Sequence, residues 1–112
     1  MTDLATRRAA LVARLRELDR RLVRIEDRLD DTPDPDWEER ATEREEDEVL
    51  EGLGLAAQAE VRRIRAALDR IAAGDYGLCA RCGQDIPPAR LDAIPSTPLC
   101  RNCAEATEEA HG

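Results

Sequence analysis

Apolar residues recur at alternating spacings of three and four over the first thirty residues. They are Leu4, Leu11, Leu15, Leu18, Leu22, Ile25 and Leu29, and the series is interrupted only where Arg8 occupies a stripe position. This spacing places one apolar stripe along a helix and is typical of a coiled-coil arm. It predicts a helix over about residues 3–30 that is roughly 40 Å long at about 1.5 Å per residue.

Two prolines end this first pattern. Pro33 and Pro35 disfavour helical backbone in the residue before each of them, so the segment 31–36 is predicted to be a turn. A second apolar pattern begins near Trp37 and continues to about Ala73. Its stripe consists of Ala41, Leu50, Leu53, Ala57, Val61, Ile64, Leu68 and Ile71.

Two long helices joined by a short turn bury their stripes by packing antiparallel. The predicted fold class is therefore all-α: a long antiparallel two-helix coiled-coil hairpin over residues 1–73. Its arms cover about 3–30 and 37–73, and its tip covers 31–36. Gly52 and Gly54 lie inside the second arm, each costing about 1 kcal/mol relative to Ala. They indicate either a close approach of the two arms or a hinge.

The four cysteines form two Cys-x-x-Cys pairs. Cys79 and Cys82 are followed by seventeen residues, then by Cys100 and Cys103. This spacing is typical of one tetrahedral zinc site, and four thiolates leave no open position, so the Zn²⁺ is predicted to be structural. Two disulfides are the alternative, but the first eight residues show no apolar segment of an export signal. A redox-labile thiol cluster is the remaining alternative.

The module that carries these cysteines is predicted to cover residues 74–112 and to end in a short helix from Arg101 to about His111. The chain has 112 residues, no Phe, one Trp and one Tyr, so its core is small. Small cores of this kind depend on a staple, and zinc supplies one. With 42% hydrophobic and 38% charged residues, the composition suits long helices that bury a narrow stripe.

The distribution of charge excludes several classes of function. The net charge is −8, which disfavours direct binding to nucleic-acid phosphates. Residues 26–51 concentrate fourteen acids against three Arg, so the predicted tip is the acidic end.

There is no Lys, one Ser and one His, so no pairing of base and nucleophile is expected and the protein is predicted not to be an enzyme. No apolar run is long enough to span a membrane, and a cytoplasmic location is predicted.

Residues around the cysteines carry a resemblance to a known family. The flanking positions are Gly74, Tyr76, Gly77, Gly83, Ile86, Arg90, Leu91, Ala93, Pro95 and Leu99. With the two cysteine pairs they resemble the DksA/TraR family of C4-type zinc-finger transcription factors, as a short-form member. The segment from Asp36 to Ala41 is similar to the family's Asp-x-x-Asp-x-Ala tip motif, with Glu39 in place of the second Asp.

The resemblance implies binding to bacterial RNA polymerase through its secondary channel, with the tip close to the catalytic magnesium ion. The tip residues that it implies as partner-binding are Asp36, Glu39, Arg40 and Ala41. The residues alone also allow a capping box, in which Asp36 is the N-cap and Glu39 reaches back to it.

Two positions of the zinc module bear on the alarmone ppGpp. The resemblance places Ile94 and Ala104 where members that bind ppGpp jointly with polymerase have basic residues, so dependence on ppGpp is not expected, although Arg63 on the second arm could still serve. The alternative function is a non-catalytic, zinc-stapled interaction module that binds another basic protein or associates with itself. A mass that depends on concentration would favour self-association.

Overall fold

In the computed structural model, the chain is described over residues 3–29 and 37–111, with side chains over 3–29 and 44–108. Its helices are α1 (Leu4–Leu29), α2 (Trp37–Ala73), α3 (Pro88–Ala93) and α4 (Arg101–His111). These ranges contain no strand, and one isolated antiparallel bridge joins Leu78 to Asp85. The predicted all-α class with two long helices is confirmed. The tip 31–36 lies outside the described residues.

No helix in these ranges has an apolar stretch long enough to cross a membrane. The chain divides into two compact units, Leu15–Val61 and Met1–Arg14 with Arg62–Gly112. Helices α1 and α2 each contribute residues to both units.

The unit Leu15–Val61 pairs part of α1 with part of α2. Arg28 reaches Glu46, while Ile25 lies against Gly54, so residue numbers rise along α1 as they fall along α2. The two helices are therefore antiparallel. Leu18, Ile25, Ala57 and Val61 form the buried stripe of this unit.

Gly54 belongs to that stripe and Leu53 does not. Leu53 is 53% exposed, which corrects its predicted place. A Cβ atom built on Gly54 would lie 3.7 Å from Cγ2 of Ile25, an ordinary van der Waals distance. The α2 backbone at Gly54 therefore lies close to α1 with room for one Cβ atom, whereas a Cβ on Gly52 would meet nothing within 4 Å.

The second unit joins the beginning of α1 and the end of α2 to the cysteine module. Leu11, Ile64 and Ala67 are buried in it. Asp3 directly precedes α1, and its Oδ1 accepts a hydrogen bond of 2.7 Å from the backbone N–H of Thr6. This is an N-cap, which satisfies one of the unpaired amides at the helix start.

The burial of Arg7 contradicts the interpretation of α1 drawn from the sequence. The sequence pattern places the interruption of the apolar stripe at Arg8, but Arg8 is exposed and Arg7 is buried. Leu4, the predicted first member of the stripe, is 49% exposed. The buried side of α1 therefore runs through positions 7, 11 and 18, and its first turn presents a cation to the rest of this unit.

Candidate metal centre

The end of α2 directs the chain into the cysteine module. Gly74 has a φ of +81°, a left-handed conformation that a side chain would strain. The N–H groups of Gly74 and Asp75 donate to the carbonyls of Ile71 and Arg70, at 3.2 Å and 2.8 Å. These bonds close the last turn of α2, so that the chain turns away shortly before Cys79.

The first cysteine pair lies in a tight turn held by backbone hydrogen bonds. The N–H of Gly83 donates to the carbonyl of Cys79 over 2.9 Å, and the N–H of Cys79 donates to the carbonyl of Gln84 over 2.8 Å. Gly83 has a φ of +76°, which its lack of a Cβ permits. The turn thereby brings Cys79 and Cys82 to the same side.

The second cysteine pair lies at the start of α4. Cys100 directly precedes the helix, and Cys103 falls in its first turn, where the N–H of Ala104 donates to the carbonyl of Cys100 over 3.0 Å. A hydrogen bond of 2.8 Å from the N–H of Ala80 to the carbonyl of Pro98 joins the two halves of the module. Both pairs therefore converge on one point.

The four sulfur atoms all lie within 4.8 Å of one another, and Cys82 Sγ is 3.8 Å from Cys100 Sγ. A tetrahedral zinc ion with bonds of about 2.3 Å to sulfur requires sulfur atoms about 3.8 Å apart. None of the four cysteines forms a disulfide. Cys79 is buried against Ile86 and Leu91, whereas Cys82 is exposed, so the site lies at the edge of the module's core.

The pKa values of Cys79 and Cys103 differ. Backbone N–H groups of Cys82 and Cys100 lower the pKa of Cys79 to about 6, because they donate hydrogen bonds to its thiolate. The pKa of Cys103 is raised to about 12. The largest cause is a side-chain hydrogen bond with Cys100, and the next is burial. Four adjacent thiolates repel one another, and a divalent cation offsets that repulsion. The donor set and spacing fit one structural Zn²⁺.

A set of side-chain hydrogen bonds fixes the segment that returns to the second cysteine pair. Arg90 Nε donates to the carbonyl of Leu99 over 2.9 Å, and its Nη2 lies 3.3 Å from Oγ1 of the buried Thr97. The hydroxyl of Tyr76 donates to the carbonyl of Pro95 over 2.8 Å. Sequence reasoning named Arg90 and Tyr76 only as parts of a motif and did not single out Thr97.

Arg7 links α1 to this module. Its Nη1 atom lies 3.0 Å from Oδ1 of Asp92, at 7% exposure for Arg7 and 49% for Asp92. The guanidinium also acts on Tyr76, whose pKa is raised mainly by burial and held down in part by Arg7. The sequence signal that could have revealed this contact is the spacing of Arg7, which lies four residues before Leu11 and so also fits the stripe in which the pattern places Arg8.

The structure does not describe the side chains predicted to form the tip. Asp36 lies outside the described residues, and Glu39, Arg40 and Ala41 belong to the beginning of α2 without described side chains. The structure thus brings together the four cysteines of the predicted site. The partner-binding role of the tip stays a prediction.

A pair of long helices joined to a four-cysteine module is the architecture of a zinc-finger protein. Similarity to known protein families identifies which family of zinc-finger proteins this is. Residues 7–71 match the DnaK suppressor protein-like, N-terminal domain. Residues 74–109 match the prokaryotic dksA/traR C4-type zinc finger. The chain belongs to the DksA/TraR family, which confirms the predicted family and the single structural Zn²⁺.

Curated relatives are longer than this chain. An uncharacterized protein of Aquifex aeolicus is 43% identical over 77 residues, which are 69% of this chain and 53% of that protein. The RNA polymerase-binding transcription factor DksA of Haemophilus influenzae is 30% identical over 92 residues, 82% of this chain and 62% of that protein. The matched part thus spans little more than half of these relatives.

Solved structures show the same fold. DksA2 from Pseudomonas aeruginosa aligns with a TM-score of 0.75 and 27% identity, over 94% of this chain and 82% of that one. The DnaK suppressor protein from Agrobacterium tumefaciens aligns with a TM-score of 0.67 and 46% identity, over 95% of both chains.

Proposed function

We propose that this protein regulates transcription by binding bacterial RNA polymerase. The observation that carries the proposal is membership of the DksA/TraR family over both the helical pair and the zinc finger. A relative named RNA polymerase-binding transcription factor DksA matches 82% of this chain. The net charge of −8 is consistent with a protein partner rather than with nucleic-acid phosphates.

The proposed contact is the acidic end of the helical hairpin, inserted into the secondary channel of the polymerase. Fourteen acids against three Arg over residues 26–51 concentrate negative charge at that end. Such a field favours a cation-rich pore and disfavours the phosphates of DNA. Asp36 and Glu39 would place carboxylates near the catalytic magnesium ion, with Arg40 and Ala41 beside them. The Zn²⁺ of this protein has a purely structural role, because its four thiolate ligands leave no position for a substrate.

The first experiment measures binding of the zinc-loaded protein to RNA polymerase core from the same organism. Labelled protein is bound at micromolar concentration, and a known secondary-channel ligand is then added. We expect displacement by the competitor, because both would occupy one pore. Binding that the competitor leaves unchanged would place the contact elsewhere on the polymerase, and absence of binding would contradict the proposal.

The tip variants test the mechanism separately from the binding. We expect Asp36→Asn and Glu39→Gln to bind polymerase with affinity within about threefold of the original chain, while the effect on transcription from a regulated promoter is lost. Asp19→Asn is the matched control, since Asp19 is an exposed acid of α1 outside the proposed tip. Normal regulation by both tip variants would show that the carboxylates do not act as proposed.

We propose further that regulation does not require ppGpp. Ile94, at one of the two relevant positions, is apolar and 46% exposed, and Ala104 at the other offers no charge to a phosphate. Transcription assays with and without ppGpp should show the same effect of this protein. An effect that appears only with ppGpp would refute this part of the proposal.

A further inference from the structure

An open groove runs between α1 and α2 within the unit Leu15–Val61. Its volume is about 620 Å³. Three arginines line it on α1 and two glutamates line it on α2, with apolar residues between them. These charged residues and one of the apolar ones are Arg21, Arg24, Arg28, Glu45, Glu46 and Val49. We call this surface the charged groove.

Val49, an apolar residue that lines the charged groove, has an exposed apolar neighbour on α2. Val49 is 63% exposed, and Leu53, one turn further along the same helix, is 53% exposed. Adjacent exposed aliphatic side chains between charged rims are the composition of a protein contact surface. The groove therefore has an apolar centre with a basic wall and an acidic wall.

We propose that a second copy of this chain docks on the charged groove and forms a symmetric dimer. A twofold axis that runs along the groove, parallel to the helices, places α1 of each copy opposite α2 of the other. Each basic wall then faces an acidic wall. An axis across the helices would instead place α1 opposite α1, with arginines facing arginines, so the charges select the first arrangement.

Rotation about the axis parallel to the helices also leaves every residue at the same position along the helix direction, which we call its height. Within one chain, Arg28 Nη2 already reaches Glu46 Oε2 over 3.5 Å. Because rotation about the parallel axis leaves heights unchanged, Arg28 of one copy lies at the height of Glu46 in the other copy. The four helices would then form an antiparallel bundle, a packing in which apolar side chains such as Val49 meet at the centre.

The groove on the opposite side of this helix pair does not fit a second copy. It contains exposed Leu55, but acids line both of its walls, with Glu26 on α1 and Glu51 on α2. Two copies meeting there would bring like charges together, which is unfavourable. This contrast assigns self-association to the charged groove and supplies a control for the test.

The test measures the mass of the zinc-loaded full chain by sedimentation equilibrium from about 1 to 300 µM at low ionic strength. We expect the mass to rise toward that of two chains, with the dimer weakened by added salt because its contacts are charged. Arg28→Glu and Glu46→Arg should each weaken the dimer by about tenfold or more, because each places like charges at two symmetry-related contacts.

The decisive sample mixes these two variants. A heterodimer of Arg28→Glu with Glu46→Arg has opposite charges at both contacts between copies, although both chains have lost the internal pair between residues 28 and 46. We therefore expect association to return on mixing. Failure to return, with each variant folded by circular dichroism, would overturn the proposed arrangement, as would a single-chain mass at every concentration of the original protein.

Apolar variants complete the design. Val49→Asn should weaken the dimer by about tenfold or more, while Leu55→Asn, at a similarly exposed leucine of the opposite groove, should leave it unchanged. The reverse result would assign the interface to the acid-lined groove and overturn the proposal. The dimer would cover part of the helix pair that the proposed function inserts into the polymerase, so the two states exclude each other. Sedimentation is measured without polymerase, so a single-chain mass would overturn the dimer and leave the proposed function standing.

Discussion

At the scale of single residues, Asp3 illustrates how one side chain defines the start of a helix. Its carboxylate accepts hydrogen bonds from the backbone and side chain of Thr6, and both lower the pKa of Asp3 below its ordinary value of 3.8. A carboxylate whose pKa is lowered by folding stabilises the folded state above the pKa of the unfolded chain. That stabilisation is lost as pH falls through the folded pKa.

The corresponding prediction is a cap that depends on pH. Asp3→Ala should lower the midpoint of thermal unfolding at pH 7. The difference should shrink as the pH falls from about 4 through the lower pKa of the folded state, below which the carboxylate is protonated in both states. Asp3→Asn is the control, because asparagine caps a helix about as well and does not titrate. Melting curves at several pH values test this, with each variant compared at the same pH so that the effect of pH on zinc binding cancels. A loss on Asp3→Ala that does not change as the pH falls would argue against the cap.

From the pKa values of the cysteine thiols we predict that the affinity for zinc rises with pH. The pKa of about 12 keeps Cys103 protonated at neutral pH in the metal-free protein, so at least one proton must leave when its thiolate binds zinc. Apparent affinity should therefore increase by at least about tenfold per pH unit between pH 7 and 8. Below about 6, the pKa of Cys79, the dependence should become steeper because the thiolate of Cys79 is then protonated as well. Competition with a chelator, corrected for its own protons, measures this slope, and a flat profile would contradict it.

At the scale of elements, the glycines of α2 distinguish between the two interpretations drawn from the sequence. Gly54 is buried against Ile25, which supports a close approach of the helices, while Gly52 faces open space. We expect Gly52→Ala to stabilise the protein by about 1 kcal/mol, because alanine has the higher helix propensity and its Cβ meets nothing.

The Gly54→Ala variant tests the packing of α2 against α1 directly, because Gly54 lies against Ile25. Its Cβ would make an ordinary contact 3.7 Å from Ile25, so it should also stabilise the protein, by less than about 1 kcal/mol. Urea unfolding measures both differences. If both variants are stabilised and still regulate transcription, no hinge at these positions is needed. Destabilisation by Gly54→Ala would contradict the observed packing of α2 against α1, and destabilisation by Gly52→Ala would contradict the open space beside that residue.

The contact between Arg7 and Asp92 is the element-scale link between α1 and α3. Asp92→Asn should destabilise the protein by about 2 kcal/mol, because it leaves the buried guanidinium without a counter-charge. Arg7→Met should cost less, about 1 kcal/mol, since it keeps the aliphatic stem and the half-exposed carboxylate of Asp92 is reached by water. Urea unfolding of the zinc-loaded variants compares them. Equal losses would indicate that packing rather than charge dominates this contact.

The sequence predicted the long helices well and their facing residues less well. Spacings of three and four are both compatible with one helical stripe, so the sequence could not choose between Leu53 and Gly54, or between Arg7 and Arg8. Only the tertiary contacts decide which neighbour is buried. The four cysteines were predictable because metal spacing is a local property of the chain. The bonds of Arg90 to Thr97 and Leu99 depend on a return of the chain that no local pattern encodes.

At the scale of the whole molecule, the four cysteines all belong to one of the two compact units. The unit Leu15–Val61 contains none of the cysteines, and its stripe of Leu18, Ile25, Ala57 and Val61 is purely apolar. The other unit contains all four, and the buried cluster of Cys79, Ile86 and Leu91 is built around one of the ligands. Since a structural zinc site contributes its binding energy to folding, removal of zinc should affect the units unequally.

We therefore predict that a chelator converts the protein to a partly folded state. One zinc ion per chain should be released, with loss of amide protection in α3 and α4 and a change in the fluorescence of Tyr76, whose hydroxyl is bonded to Pro95. Amides of α1 and α2 within 15–61 should keep measurable protection, because their packing involves no thiol. Cys103→Ser should resemble the chelated protein, while Ser96→Ala, in the same module without a metal ligand, should not. Hydrogen exchange resolved by segment separates the cases. Simultaneous loss of protection in both units would show that the helix pair cannot persist without the zinc module.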